Sequence, residues 1–195
     1  MTIYVRLAGR IVCVMRADAA RNITAVLRTG ARLLAEDPST SIAAIASEAG
    51  VDRTTVHRRF ATREALLSAV FQAKLDSSAR VLDEARLREA PVAVALHRYV
   101  EGSISVSREW PVDTRRMMQE DPIANSRLQK ESRRLDDFLH RAADEGYLRP
   151  DIPLPWARAV LDQLVYSMAH QFPEMEPPQA ADLVVDTFLN GLGKP

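Results

Sequence analysis

Cysteine is nearly absent. One residue, Cys13, among 195 excludes an intramolecular disulfide framework and a cysteine-built zinc site, and it favours a reducing, cytoplasmic setting. Glycine is scarce as well, at 7 residues. A sandwich or barrel, with frequent Gly/Pro turns between short strands, is therefore disfavoured. No apolar run approaches the ~20 residues of a membrane-spanning helix. The opening MTIYVRLAGRIVCVM comes nearest, but Arg6 and Arg10 break it. A secretory signal needs about 7–15 uninterrupted apolar residues, which this stretch does not offer; because termini are poorly tied down, residues 1–17 are expected to form a flexible N-terminal extension. Net charge is also lacking, with 26 basic against 26 acidic residues.

What the chain does have is a hydrophobic fraction of 47%, enough to bury a core and to exclude disorder as its overall state. Its charge is unevenly placed. Residues 1–74 hold 11 Lys and Arg against 6 Asp and Glu, and the remainder holds 15 against 20. A basic N-terminal third on an acidic body suggests one segment that meets a polyanion and another that does something else.

The 11 prolines act as punctuation, because proline ends helices or opens them at the first turn. Between them apolar residues recur at helical spacing. The pattern predicts helices near Ala19–Glu36, Ser41–Ala49, Asp52–Phe60, Thr62–Arg88, Pro91–Glu109, Asp113–Glu120, Ile123–Glu145, Pro155–Gln171 and Pro178–Gly191. The expected fold is all-α.

The stretch SIAAIASEAGVDRTTVHRRFATREALL, Ser41–Leu67, carries the most information. Ile42, Ile45, Ala46 and Ala49 form one apolar stripe on a helix of two turns. Gly50 suits the tight turn after it, and Asp52 suits the cap of the next helix. Such short helices cannot stand alone, so they must pack on each other and on the helix before them. Ala46, Gly50 and Val56 have the spacing of a helix-turn-helix. Between Val56, Phe60 and the turn, the second helix presents Arg53, Thr54, Thr55, His57, Arg58 and Arg59. These are donors for guanine edges, hydroxyls and methyls for thymine, and cations for phosphate. Ser41 and Thr62, with Arg63 beside it, open the flanking helices, where free backbone N–H groups suit a phosphate.

These residues resemble the N-terminal domain of tetracycline-repressor (TetR) family transcriptional regulators. Ile42, Ile45, Ala46, Ala49, Gly50, Val51, Val56, Phe60, Arg63, Glu64, Leu66 and Leu67 match the family pattern, and Ala31–Pro38 is similar to the end of the family's first helix. The detailed match spans about residues 19–70. His57 stands where the family often has a phosphate-contacting tyrosine, Arg59 where it has tyrosine or histidine, and Ser41 and Asp52 replace threonine and serine at the two helix starts; imidazole and guanidinium still donate to phosphate. The resemblance implies a three-helix DNA-binding domain over residues 18–62 and a helical effector-binding and dimerisation domain over 63–195. It also implies a homodimer that reads double-stranded operator DNA and a small-molecule effector that releases it.

The C-terminal part offers no catalytic constellation. Its histidines stand apart, Asp137-x-x-His140 occurs once where a di-iron bundle needs two such pairs, and no phosphate-binding or nucleophile-elbow motif appears. No metal, cofactor or enzymatic activity is expected. Tyr99, Ser103, Trp110, Met117 and Phe138 are candidates for an effector pocket. Leu161, Leu164, Met168, Val184 and Phe188 lie on broad stripes of the last two helices and are candidates for the dimer interface. A sigma-like factor also carries a helix-turn-helix, but near its C-terminus. An all-helical enzyme with an incidental basic face is the remaining alternative.

Overall fold

The computed structural model describes residues 3–113, 119 and 121–192, with side chains from residue 20 to residue 191. The described residues form eight α-helices and no strand: α1 (Ile3–Glu36), α2 (Ile42–Glu48), α3 (Arg53–Arg59), α4 (Arg63–Ala85), α5 (Val92–Glu109), α6 (Pro122–Asp144), α7 (Leu154–Gln171) and α8 (Pro177–Leu192). Helix α1 begins at Ile3, whereas the sequence suggests a start near Ala19 after an extension. Residues 3–18 contain no proline and one glycine, Gly9, so nothing there stops a helix that is already nucleated downstream. The short helix expected near Asp113–Glu120 falls mostly outside the described residues.

The chain divides into two compact units, Met1–Val70 and Phe71–Pro195. The sequence places the boundary between 62 and 63; the division falls eight residues later, within α4. Leu66, Leu67 and Val70 are buried, and they extend the apolar stripe of the helix-turn-helix into α4. A Cβ on Gly30 would stand 3.6 Å from Val70 Cγ2 and 3.7 Å from Ile45 Cγ2, so α1 crosses both α2 and α4 at close range. Val26, Ala31, Leu34, Ile45, Ala46, Val56 and Phe60 fill the rest of this core.

In the second unit α5 packs on α7 and α8, and α6 packs on α7. Leu96, Val100 and Ile104 of α5 meet Leu135 and Leu139 of α6, Leu161 of α7, and Val184 and Phe188 of α8 in one core. Gly102 allows α5 to approach α4, since a Cβ there would lie 2.7 Å from a Val81 methyl. Arg108 binds the end of α7 to the following turn, donating to the carbonyls of Met168 (3.1 Å), Phe172 (2.9 Å) and Met175 (2.7 Å).

Candidate nucleic-acid interface and effector cavity

Local chemistry fixes the helix-turn-helix. Ser41 caps α2, its hydroxyl accepting from Ala44 N at 3.2 Å. Gly50 stops α2 with φ +65°, and Val51 N donates back to Ala46 O at 3.0 Å. That is a helix end closed by a left-handed residue, where any Cβ is strained. Asp52 then caps α3, accepting from Thr54 N at 2.8 Å and Thr55 N at 3.2 Å, and from the Thr54 hydroxyl. These bonds, led by the Thr54 hydroxyl, hold the Asp52 carboxyl below its ordinary range. Thr62 accepts from Ala65 N at 3.1 Å and so caps α4.

Val56 is fully buried, which turns the rest of α3 outward: Arg53, Thr54, His57, Arg58 and Arg59 are exposed and Thr55 is half-buried. Arg32 of the same unit is engaged by Glu36 (3.4 Å) and Glu48 (2.7 Å). Arg53, Arg58 and Arg59 have no such acidic partner among the described residues. Arg63 differs from these three, being half-buried with Nε donating to Thr40 O at 3.4 Å. It therefore ties the start of α4 to the turn before α2, in addition to any contact it makes outside the chain.

Within the second unit a cavity of about 940 Å³ opens between residues of α4, α5, α6 and α7 and the segment Pro111–Asp113. Lys74 reaches it from α4, its Nζ donating to Val112 O at 2.8 Å. Burial pulls this ammonium down from 10.5 to about 8, opposed by Asp113. Tyr99 lines the wall beside Ser103, and burial, then the charge of Asp162, pushes its phenol up to about 12, so it is a neutral donor. Arg158 is held by Asp136 at 2.8 Å and Asp162 at 2.9 Å. Tyr166 and His170 stack at 4.3 Å between ring centroids, and both line the cavity.

The tetR family of bacterial regulatory proteins matches residues 26–70. The HTH-type transcriptional repressor LfrR of Mycolicibacterium smegmatis is 30% identical over 176 residues, which is 88% of this chain and 90% of the repressor. The chain belongs to the TetR family. It is accordingly similar in structure to LfrR from Mycobacterium smegmatis in complex with proflavine, at 25% identity and a TM-score of 0.68 over 90% of this chain and 99% of that one. It shares its fold with the ketosteroid transcriptional regulator KstR2 of Mycobacterium tuberculosis, at 19% identity and a TM-score of 0.72, covering 87% and 94% of the two chains. TetR-family members are transcriptional regulators rather than enzymes. Among the described residues no helix is long and apolar enough to cross a membrane.

For this TetR-family chain the structure redistributes the candidates expected in the second unit. Tyr99 and Ser103 do line the cavity. Trp110 and Phe138 do not: both are buried in packing, Phe138 in the core with the Arg141 guanidinium 5.4 Å above its ring. Met117 lies outside the described residues. Leu161, Val184 and Phe188, expected at a dimer interface, are covered within the single chain and belong to its core. Leu164 and Met168 are half-buried against the same core. The stripes on α7 and α8 are broad because each helix meets α5 as well as the other. The apolar side chains that these helices leave exposed are Trp156 (58%), Tyr166 (54%) and Leu183 (48%). Lys74, Glu131, Arg158 and Asp162 are cavity residues that the sequence does not reveal, since charged residues on amphipathic helices ordinarily read as solvated.

Proposed function

We propose that the chain is a ligand-responsive repressor that binds operator DNA as a homodimer and leaves it when a small molecule fills the cavity of the second unit. The observation that carries this reading is the outward face of α3, where Arg53, Arg58 and Arg59 stand exposed, with no acidic partner among the described residues, beside hydroxyls and an imidazole. Arg53 and Thr54, at the start of α3, suit base edges. Ser41, Thr55, His57, Arg58, Arg59, Thr62 and Arg63 suit phosphates and the orientation of the helix on the duplex. One helix of seven residues reads only a few base pairs. Two copies about 34–36 Å apart read successive half-sites, and the apolar surface left on α7 and α8 supplies the pairing face. The proflavine complex of LfrR supports a small-molecule effector here, as does a cavity at the upper end of the ~300–1,000 Å³ typical of ligand sites.

The test is a titration of the full chain against duplexes from its own upstream region, with and without proflavine. Binding to a pseudo-palindromic duplex is expected, steeply weakened by salt because phosphate neutralisation releases counterions, and weakened further by the effector. Reciprocity then requires DNA to lower effector affinity by the same factor. Equal affinity for all duplexes, or tight effector binding with no change in DNA affinity, would overturn the respective half of this reading.

A further inference from the structure

We infer that the Lys74 amine takes an apolar aldehyde into the cavity as a reversible imine, so that carbonyl compounds are the effector class of the site. The inference rests on the effector reading above and names the chemistry of that site. Lysine is rare in this chain: of its 26 basic residues only Lys74, Lys130 and Lys194 are lysines. Solvated positive charge is left mostly to arginine, yet a lysine stands in the cavity wall. Lys74 lies on the stripe of α4 that lines the cavity, together with Leu75, Ser78, Val81 and Leu82, and it is half-buried. Among the described residues its one hydrogen bond runs from Nζ to Val112 O at 2.8 Å, and Val112 is itself a lining residue. The nitrogen is therefore held at the wall by a neutral carbonyl rather than by a carboxylate.

A lysine kept from water is the residue type that forms Schiff bases, because the neutral amine is the nucleophile. Burial lowers Lys74 from 10.5 to about 8, and the charge of Asp113 opposes that shift. About a tenth of it is then neutral at pH 7, on the order of a hundredfold more than for an ordinary lysine. The other titratable groups of the lining are Tyr99 from α5, Glu131 from α6, and Arg158, Asp162, Tyr166 and His170 from α7; Lys74 is hydrogen-bonded to none of them. In the step itself the Nζ lone pair adds to the carbonyl carbon, and one amine proton passes to the carbonyl oxygen. The carbinolamine then loses its hydroxyl with the second amine proton as water, leaving a C=N bond. Nothing is oxidised or reduced, and water reverses the reaction. Leu75, Val81, Leu82, Val106 and Leu135 give the lining its apolar part, which suits an aryl or alkyl aldehyde better than a hydroxylated one.

The test treats the full-length chain with naphthaldehyde and cyanoborohydride, which reduces an imine to a stable amine, and reads the labelled position by peptide mass spectrometry. At pH 7 Lys74 should be labelled at least about tenfold faster than Lys130, which is exposed on α6. That preference should shrink as the pH is raised past about 8. Without reductant, naphthaldehyde should weaken operator binding at lower concentration than naphthalenemethanol, which has the rings without the carbonyl, and Lys74→Met should erase the difference. Lys130 labelled as fast as Lys74 would overturn the assignment, and so would a difference between aldehyde and alcohol that survives in Lys74→Met. Should that variant not fold, the labelling ratio in the wild type decides alone. If Lys74 carries the label but operator binding is unchanged, the covalent site stands and the release mechanism falls.

Discussion

Replacing Lys74 by methionine should reverse the sign of its effect on stability with pH. The ammonium sits in the cavity wall with its Nζ on Val112 O, and burial lowers it from 10.5 to about 8. The unfolded chain therefore holds this proton more tightly than the folded one. Below pH 8 both states are charged and the whole desolvation cost is present. Between 8 and 10.5 the folded state is neutral while the unfolded state is still charged, so the cost fades, and above 10.5 it is gone. At 1.36 kcal/mol per unit the cost near pH 7 is about 3 kcal/mol. Methionine removes that cost but also the bond to Val112 O, a loss of about 1–2 kcal/mol. Lys74→Met should thus be more stable than wild type by about 1–2 kcal/mol at pH 7, and less stable by about the same amount above pH 10.5. Urea unfolding of both proteins at one chain concentration, from pH 7 to 10.5, measures the difference, and taking the difference cancels the other titrating groups. A gap between the two proteins that stays constant with pH would refute the reasoning.

Other perturbations follow from single contacts. Gly50→Ala places a Cβ at φ +65° and should destabilise the first unit by about 1 kcal/mol, read as a lower melting temperature with reduced operator affinity. Gly102→Ala drives a methyl into Val81 and should cost about 1–3 kcal/mol; Val81→Ala in the same chain should recover much of it, as a double-mutant cycle would show. Arg58→Ala should weaken binding to every duplex and reduce the salt slope by about 1, whereas Arg53→Ala should chiefly relax base preference in competition assays. Leu183→Glu should dissociate the proposed dimer in sedimentation while each chain keeps its helical circular dichroism. Phe188→Glu, which puts a charge in the single-chain core, should lose that helical signal instead.

The sequence alone determined what short-range physics decides. Prolines and periodicity marked most helix bodies, and the helix-turn-helix was legible because its turn glycine, caps, buried stripe and basic face all fall within Ser41–Leu67. Helix α1 begins at Ile3 rather than near Ala19, since the charges that break the apolar run of a signal sequence do not interrupt a helix. Tertiary structure alone decided the cavity, whose walls come from residues as distant as Lys74 and His170, and it alone showed that Lys74 stands in that wall bonded to Val112 O. It also moved Leu161, Val184 and Phe188 from an expected interface into the core. Helical spacing says that one face of a segment is apolar; whether that face meets its own chain, a second copy or a ligand depends on how helices far apart in sequence are packed, and periodicity carries no record of that.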